Sequence, residues 1–420
     1  MNDFIQFLSR SPTAYHAVKE ISNRLAEKDF IPLSEEENWQ LEKGKSYFVE
    51  KEGTLLCAFR MPKKKVKSAI ILASHTDSPA LKIKPQPDIS SHDMAQLGTE
   101  VYGGPLLHTW LDKNLAIAGN IETDLGSQLV YLEDLPIVIP QLAIHLDRNI
   151  NEKGILVHKQ EHLKAVFSLK KEDTLETVLK RRYGFKKLYA FDLFLVPIEP
   201  PSVIGLYNDL FAGYRIDNLS SAYSSLQAIT HSHLQDEILQ VAIFWDHEEI
   251  GSFSSTGAFS CYLDQLLDRI IGTVDSSKEH FYQMKSRSIT LSVDVAHAFN
   301  PNYPEKYDPQ NSAYLGKGVV IKFNAARKYA SDAKTAKTLF KIADHHKIPL
   351  QKSANRSDIP SGSTVGPIMS AQTGIKTVDL GLACWAMHST REVISVEDFQ
   401  SQTKFLTHML NDWQPDERPL

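Results

Sequence analysis

Four consecutive residues, Asp246-His247-Glu248-Glu249, follow the apolar run at 239–245, so that what reads as a buried strand opens directly into two adjacent carboxylates. Such a pair can divide two jobs: one carboxylate holds a metal while its neighbour acts as general base toward a metal-activated water. The bland alternative is a solvated acidic turn. Other parts of the chain repeat the arrangement. His75 follows the apolar run 69–73, Asp294 follows 289–293, and His388 follows 377–387. Asp217 lies instead on a turn leading into a helical stretch. Two histidines and three carboxylates, one of them bridging, supply three protein ligands to each of two zinc-like ions and leave room for a shared water, the donor set of a hydrolytic two-metal site. A magnesium or calcium cage would use fewer histidines, so zinc is expected, with cobalt or manganese as substitutes. In His75-Thr76-Asp77, residues i and i+2 of an extended segment share a face, so Asp77 can orient His75. His108, His145, His247 and His297 also lie near strand or turn boundaries. Spacing alone therefore leaves the ligand set open and makes these histidines candidates for substrate contacts. His345-His346 follows a helical run and reads as a surface helix end.

The elements that must position these residues are legible as alternating patterns. Ser11-Pro12-Thr13 and the residues to 25 read as a capped helix with proline in its first turn. Runs at 46–49 and 54–59 around Glu52-Gly53 read as a hairpin, and 69–73 as a buried strand. Between about 91 and 201 the texture changes to strand-like runs at 128–132, 137–139, 155–157 and 188–197, with long helical patterns mostly missing. From Asp217 onward, long helices alternate with buried strands again. The expected architecture is α/β: a mixed-sheet core sandwiched by helices and formed by residues 1–90 plus 211–420, with an inserted β-rich domain at 91–210. In an open α/β sheet, ligands bind in the crevice beyond the carboxyl ends of the strands, so candidate residues distant in sequence would converge there.

Composition sets outer limits. The chain has 420 residues, enough for two or three domains, with 42% hydrophobic and 23% charged residues, as in ordinary globular proteins. A formal charge of −5 gives no basic field, so neither nucleic acid nor an anionic membrane is an expected partner. Cys57, Cys261 and Cys384 are too few and too scattered for a disulfide framework or a cysteine zinc site. With no visible secretory signal and no bilayer-spanning apolar stretch, a cytoplasmic location is expected.

Several longer motifs carry a resemblance. His75-Thr-Asp-Ser-Pro79, Glu100-Val-Tyr-Gly-Gly104, His108-Thr-Trp110, Ile144-His-Leu-Asp-Arg148, Arg215-Ile-Asp-Asn218, Asp246-His-Glu-Glu249, Asn302-Tyr-Pro-Glu-Lys306, Val320-Ile-Lys-Phe-Asn324, Ser361-Gly-Ser-Thr364 and Ala386-Met-His-Ser-Thr-Arg-Glu392 resemble the aspartyl aminopeptidase family of zinc metallopeptidases, across nearly the whole chain. The resemblance implies one ion held by His75, Asp217 and Asp294 and another by Asp217, Glu249 and His388, two zinc ions per subunit. Glu248 would be the general base and acid, Asp77 the partner of His75, and the Asp217-Asn218 peptide cis. It further implies removal of an amino-terminal residue, Asp or Glu, from peptides with a free amino terminus. By the same resemblance the core would be a mixed-sheet di-zinc exopeptidase domain and the insert at 91–210 its dimerisation domain; His145 would reach into a neighbouring subunit's active site, and dimers would assemble into a dodecamer. His297 or His145 would stabilise the oxyanion. An acidic preference needs a cation beside the metals, for which Lys322 is the first candidate, followed by Tyr329 and Arg356. Met387, next to His388, is counted among the substrate contacts. Gly103-Gly104-Pro105 and Pro360-Ser361 depart from the family pattern without touching a ligand. The competing readings are an aminopeptidase for neutral residues, a related di-zinc carboxypeptidase or deacylase, and a non-catalytic scaffold, which the intact ligands and base disfavour.

Overall fold

The computed structural model describes residues 1–275 and 277–415. Its centre is a nine-stranded mixed sheet. Four neighbouring strands in the middle, Ile238–Trp245, Ser68–His75, Ile289–Val293 and Lys376–Gly381, run parallel. Their sequences are near-continuous apolar runs because both faces of the sheet are covered. Side chains alternate between the two faces: Ile70 and Leu72 enter one core with Ala242 and Phe244, whereas Ala69, Ile71 and Ala73 enter the other with Val241, Ile243 and Trp245. Helices Asn2–Arg10, Ala14–Ala26, Ile216–His231, Ala333–His346 and Val396–Asp412 contribute apolar residues to the first core. Helices Tyr262–Gly272, Lys278–Ser286 and Val365–Thr373 contribute to the second.

A second, six-stranded sheet is antiparallel throughout and has its own apolar core. Its strands lie between Ala80 and Pro197, so it begins ahead of residue 91. A small five-stranded sheet joins residues 202–213 to strands Ala383–Trp385 and Glu392–Ser395 and to the short strand Ala296–His297. All three cysteines are free. Among the described residues no helix is long and apolar enough to cross a membrane.

Several local expectations change. Pro12 precedes the helix Ala14–Ala26 instead of occupying its first turn, and the Thr13 side chain makes no capping hydrogen bond. The hydroxyl is engaged by His16 Nδ1 at 2.9 Å. Residues 155–157 form no strand and are largely exposed, since they pair with nothing despite their β-branched composition. A helix, Leu175–Tyr183, interrupts the β-rich segment, capped by Thr174 and closed by Gly184 in the left-handed conformation. The apolar run 377–387 is two strands, Lys376–Gly381 in the large sheet and Ala383–Trp385 in the small one. Hydropathy cannot see that break. Gly381 marks it, because a Cβ there would overlap the carbonyl of Asp294.

Candidate active site

The carboxyl ends of the central parallel strands meet in one crevice. His75 is the last residue of its strand and pairs with Trp245 across the ladder, which brings the turn after Trp245 alongside it. Glu248 and Glu249 open a short 3-10 turn, Glu248–Ile250. His247 turns the chain at φ 60°, with its Nδ1 2.8 Å from Ser254 Oγ, and Asp246 accepts the His247 N–H at 2.8 Å. Asp246 and His247 thus shape the turn that aims the two glutamates. Asp294 directly follows its strand. Asp217 stands in the first turn of helix Ile216–His231, where Asp217 and Asn218 depart from helical geometry and their peptide bond is cis. Asn218 Nδ2 donates to Val293 O at 2.9 Å, tying this kink to the residue before Asp294.

These elements gather three overlapping groups of donors: His75, Asp217 and Asp294; Asp217, Glu249 and His388; and His75, Glu248 and Glu249. His75 Nε2 lies 3.5 Å from Asp217 Oδ1 and 3.8 Å from Asp294 Oδ1. His388 Nε2 lies 3.3 Å from both Asp217 Oδ2 and Glu249 Oε2. Ligands about 2.1 Å from one tetrahedral ion are roughly 3.4 Å from each other. These separations suit donors to zinc-like ions, and Asp217 belongs to the groups of both histidines. Asp217 Oδ1 and Glu249 Oε1 are buried and have no hydrogen-bond partner among the described residues, which leaves both free for coordination. Glu248 is not needed as a ligand, and its Oε2 lies 3.8 Å from His75 Nε2, facing the same space.

Electrostatics agree with a cation site. Burial raises the Glu248 carboxyl to about 8 against the pull of His75, with repulsion from Asp294, Asp77 and Asp217 adding to it. Burial and the charges of Asp217 and Glu248 push Glu249 well above the carboxylate range. Burial would depress His388, but the Asp217 carboxylate overrides it and lifts the imidazole to about 9. So many buried acids cannot all ionise together unaided, and a divalent ion relieves that conflict.

Outside the donors, buried acceptors hold the backbone in place. Asp77 Oδ1 accepts the N–H of Glu248 and Oδ2 that of Glu249, both at 3.1 Å. Tyr102 donates to Asp77 Oδ2 at 2.7 Å, and His75 Nδ1 lies 3.3 Å from Asp77 Oδ1 and 3.1 Å from the Asp77 carbonyl. One carboxylate therefore braces three residues of the cluster. Contrary to expectation, the Gly103-Gly104 stretch does touch proposed ligands: Gly103, at φ 73°, passes so near Glu249 that an added Cβ would stand 3.2 Å from the Glu249 Cβ, and the Gly104 carbonyl lies 3.0 Å from His388 Nδ1. Glu392 accepts the N–H of Asp217 at 3.0 Å and of His388 at 2.7 Å. Sequence reading missed Tyr102 and Glu392 as contributors. An acid inside the buried strand Glu392–Ser395 was the available signal, since a buried acid needs donors.

A cavity of about 320 Å³ adjoins the cluster, lined by Glu248, His297, Lys322, Tyr329, Met387 and His388 among others. Lys322 is buried; its Nζ donates to Val295 O at 3.1 Å, lies 3.6 Å from Asp294 Oδ2 and faces the Tyr329 ring at 5.1 Å. Asp379, also buried, accepts from Ala330 N and Thr364 Oγ1, both at 2.5 Å, and so anchors two loops of the cavity wall. Two of the expected substrate contacts are not brought here within one chain. Arg356 forks onto Asp358 at 2.9 and 2.8 Å because that acid is two residues away on the same turn, and His145 sits on an exposed turn. His108 is likewise exposed, in the 3-10 turn Leu107–Trp110.

With this geometry in view, comparison with known proteins is informative. Residues 7–409 match the profile of a family described as aminopeptidase I zinc metalloprotease (M18). A probable M18 family aminopeptidase 2 of Clostridium novyi is 36% identical over 427 residues, covering 98% of both chains. A probable aspartyl aminopeptidase of Ricinus communis is 34% identical over 452 residues, covering 94% of this chain and 92% of the other. Among solved structures, the Ape4 chain seen in complex with Nbr1 superposes with TM-score 0.93 at 33% identity, over 97% of this chain and 85% of that one.

Proposed function

The chain belongs to the M18 family of aminopeptidase I zinc metalloproteases, and from that premise we propose that it removes an amino-terminal Asp or Glu from peptides at a two-zinc centre. The observation that carries the two-ion reading is the pair of donor triads sharing Asp217, with unpartnered carboxylate oxygens on Asp217 and Glu249. His75, Asp217 and Asp294 would hold one ion, and Asp217, Glu249 and His388 the other. Bound zinc supplies Lewis acidity toward the scissile carbonyl and toward water.

The remaining work falls to side chains of this protein. Glu248, braced through its N–H by Asp77, takes a proton from the attacking water and delivers it to the leaving amine. Burial holds that carboxyl above the ordinary carboxylate range, and bound cations would draw it back toward the ionised form a base needs. Asp77 fixes the His75 ring so that Nε2 faces the donors. His297, on the cavity wall, would donate to the developing oxyanion. For the acidic side chain, Lys322 is the cation: one of its three N–H groups is taken by Val295 O, leaving others for a substrate carboxylate. Tyr329 and Met387 would complete that wall.

Assembly is part of the proposal. Leu142, Ile144 and Leu146 are exposed at 62%, 45% and 75%, flanking His145, and Leu156 and Leu169 are exposed nearby in sequence. Apolar residues at that exposure mark an interface, so we place them between subunits of a dimer that builds into a dodecamer, with His145 delivered to the neighbour's crevice. Residues 91–210 would be the dimerisation domain. Mass measurement in solution tests the assembly. For the reaction, aminoacyl substrates with acidic, neutral and basic first residues are assayed with and without chelator. Hydrolysis that survives chelation, or no preference for Asp and Glu, would remove the corresponding half of the proposal.

A further inference from the structure

Outside the crevice, two helix ends bring together a second set of ligand types. His346 is the last residue of helix Ala333–His346, and His408 and Asp412 lie one turn apart on helix Val396–Asp412, which ends at Asp412. His346 Nε2 is 2.7 Å from Asp412 Oδ2, and His408 Nδ1 is 3.7 Å from the same oxygen. The two imidazoles stack at 3.5 Å between centroids and 17° between planes. Among the described residues this is the one group of three such donors outside the crevice.

We infer that His346, His408 and Asp412 form a surface site for a divalent zinc ion that clamps the carboxy-terminal helix to helix Ala333–His346. The donor types are right: two imidazoles and a carboxylate are a zinc set with a position left for water. The charge environment is also right. Exposed acids elsewhere, such as Asp268 and Asp264, pair with lysines, whereas the ion-pair partners of Asp412 among the described residues are these two imidazoles. Because both helices end here, their carbonyl-bearing carboxyl termini add negative potential where a cation would sit. Parallel rings cannot both direct a lone pair at one ion, so the imidazoles must tilt. The histidine χ2 torsion is broad, and partial exposure of all three side chains leaves room for that tilt. The i, i+4 spacing of His408 and Asp412 keeps both on one helix face while this happens. An ion here would fasten the helix whose Phe405, Leu406, Met409 and Leu410 close the first core.

Equilibrium dialysis of the full-length protein against Zn2+, with the crevice already saturated, tests this. The expected result is one additional zinc per subunit in the wild type, lost in His346→Ala and in His408→Gln, while peptide hydrolysis stays unchanged in both. His408→Gln keeps a polar, helix-compatible side chain. Its melting temperature without the additional zinc should match the wild type, and adding zinc should raise only the wild-type value. Equal uptake by wild type and both variants, or no uptake beyond the crevice in the wild type, would overturn the assignment.

Discussion

Replacing Asp77 by Asn isolates the brace behind the glutamates. The side chain keeps its size but exchanges one acceptor oxygen for an NH2 group. If that group replaces Oδ1, it confronts the Glu248 N–H; if it replaces Oδ2, it confronts the Glu249 N–H, since each oxygen now accepts one of these at 3.1 Å. Either way a peptide N–H loses its acceptor, and the surviving bond loses its charge. A hydrogen bond to a charged group contributes about 1.5–3 kcal/mol, which translates to roughly 10–150-fold in rate if the whole loss falls on the placement of Glu248. His75 retains the Asp77 carbonyl at 3.1 Å, so its ring keeps one anchor and zinc affinity should fall less than turnover. Steady-state kinetics at saturating zinc, paired with chelator competition for zinc affinity, separates the two effects. A kcat within about threefold of wild type, less than the loss of even a weak charge-assisted bond would cause, would refute the claim that Asp77 holds the base.

Three further outcomes are expected. Glu248→Gln should bind zinc near wild-type levels while kcat drops about 10²–10⁴-fold, the usual contribution of a positioned acid or base; equal loss of zinc would instead make Glu248 a ligand. Lys322→Ala should lower kcat/KM for acidic first residues roughly 10–100-fold relative to neutral ones, the range for a charge-assisted hydrogen bond, and an unchanged ratio would free Lys322 of that role. Burial, with Arg215 nearby, depresses His16 to about 4 from its ordinary 6.5, so the unfolded chain binds the proton more readily. Folding stability should therefore fall as pH drops from about 6.5 toward 4, by up to about 3 kcal/mol from this group, and urea midpoints of His16→Gln should show a flatter profile over that window.

The parallel strands and the metal-donor candidates at their ends were legible because burial on both faces forces uninterrupted apolar runs, and the polar cluster begins where each run stops. His75, Asp294 and the Glu248-Glu249 pair stand out for that reason. What composition cannot encode is which distant backbone a polar side chain will meet. Tyr102 and Asp379 act through hydrogen bonds to residues remote in sequence, and Glu392 ties its near neighbour His388 to the distant Asp217, so their local settings announce nothing beyond a polar group in a buried stretch. The same limit explains the split at Gly381, where two strands of different sheets abut without a polar gap. Arg356 shows the opposite error: a cation near motif residues in sequence was satisfied by its own neighbour Asp358.

The Tyr102 hydroxyl and the Gly104 carbonyl come from the end of strand Met94–Tyr102 and the loop beyond it, in the second sheet. A trimmed version of this enzyme that kept every proposed ligand but omitted that sheet would lose the donor to Asp77 and the acceptor beside His388 together. The second sheet is thereby part of the frame of the crevice. A load on it, including contact with another subunit, reaches the donor cluster by three routes: the Tyr102 phenol, the Gly103-Gly104 backbone against Glu249 and His388, and the short Ser78-Pro79 link from Asp77 to strand Ala80–Ser91.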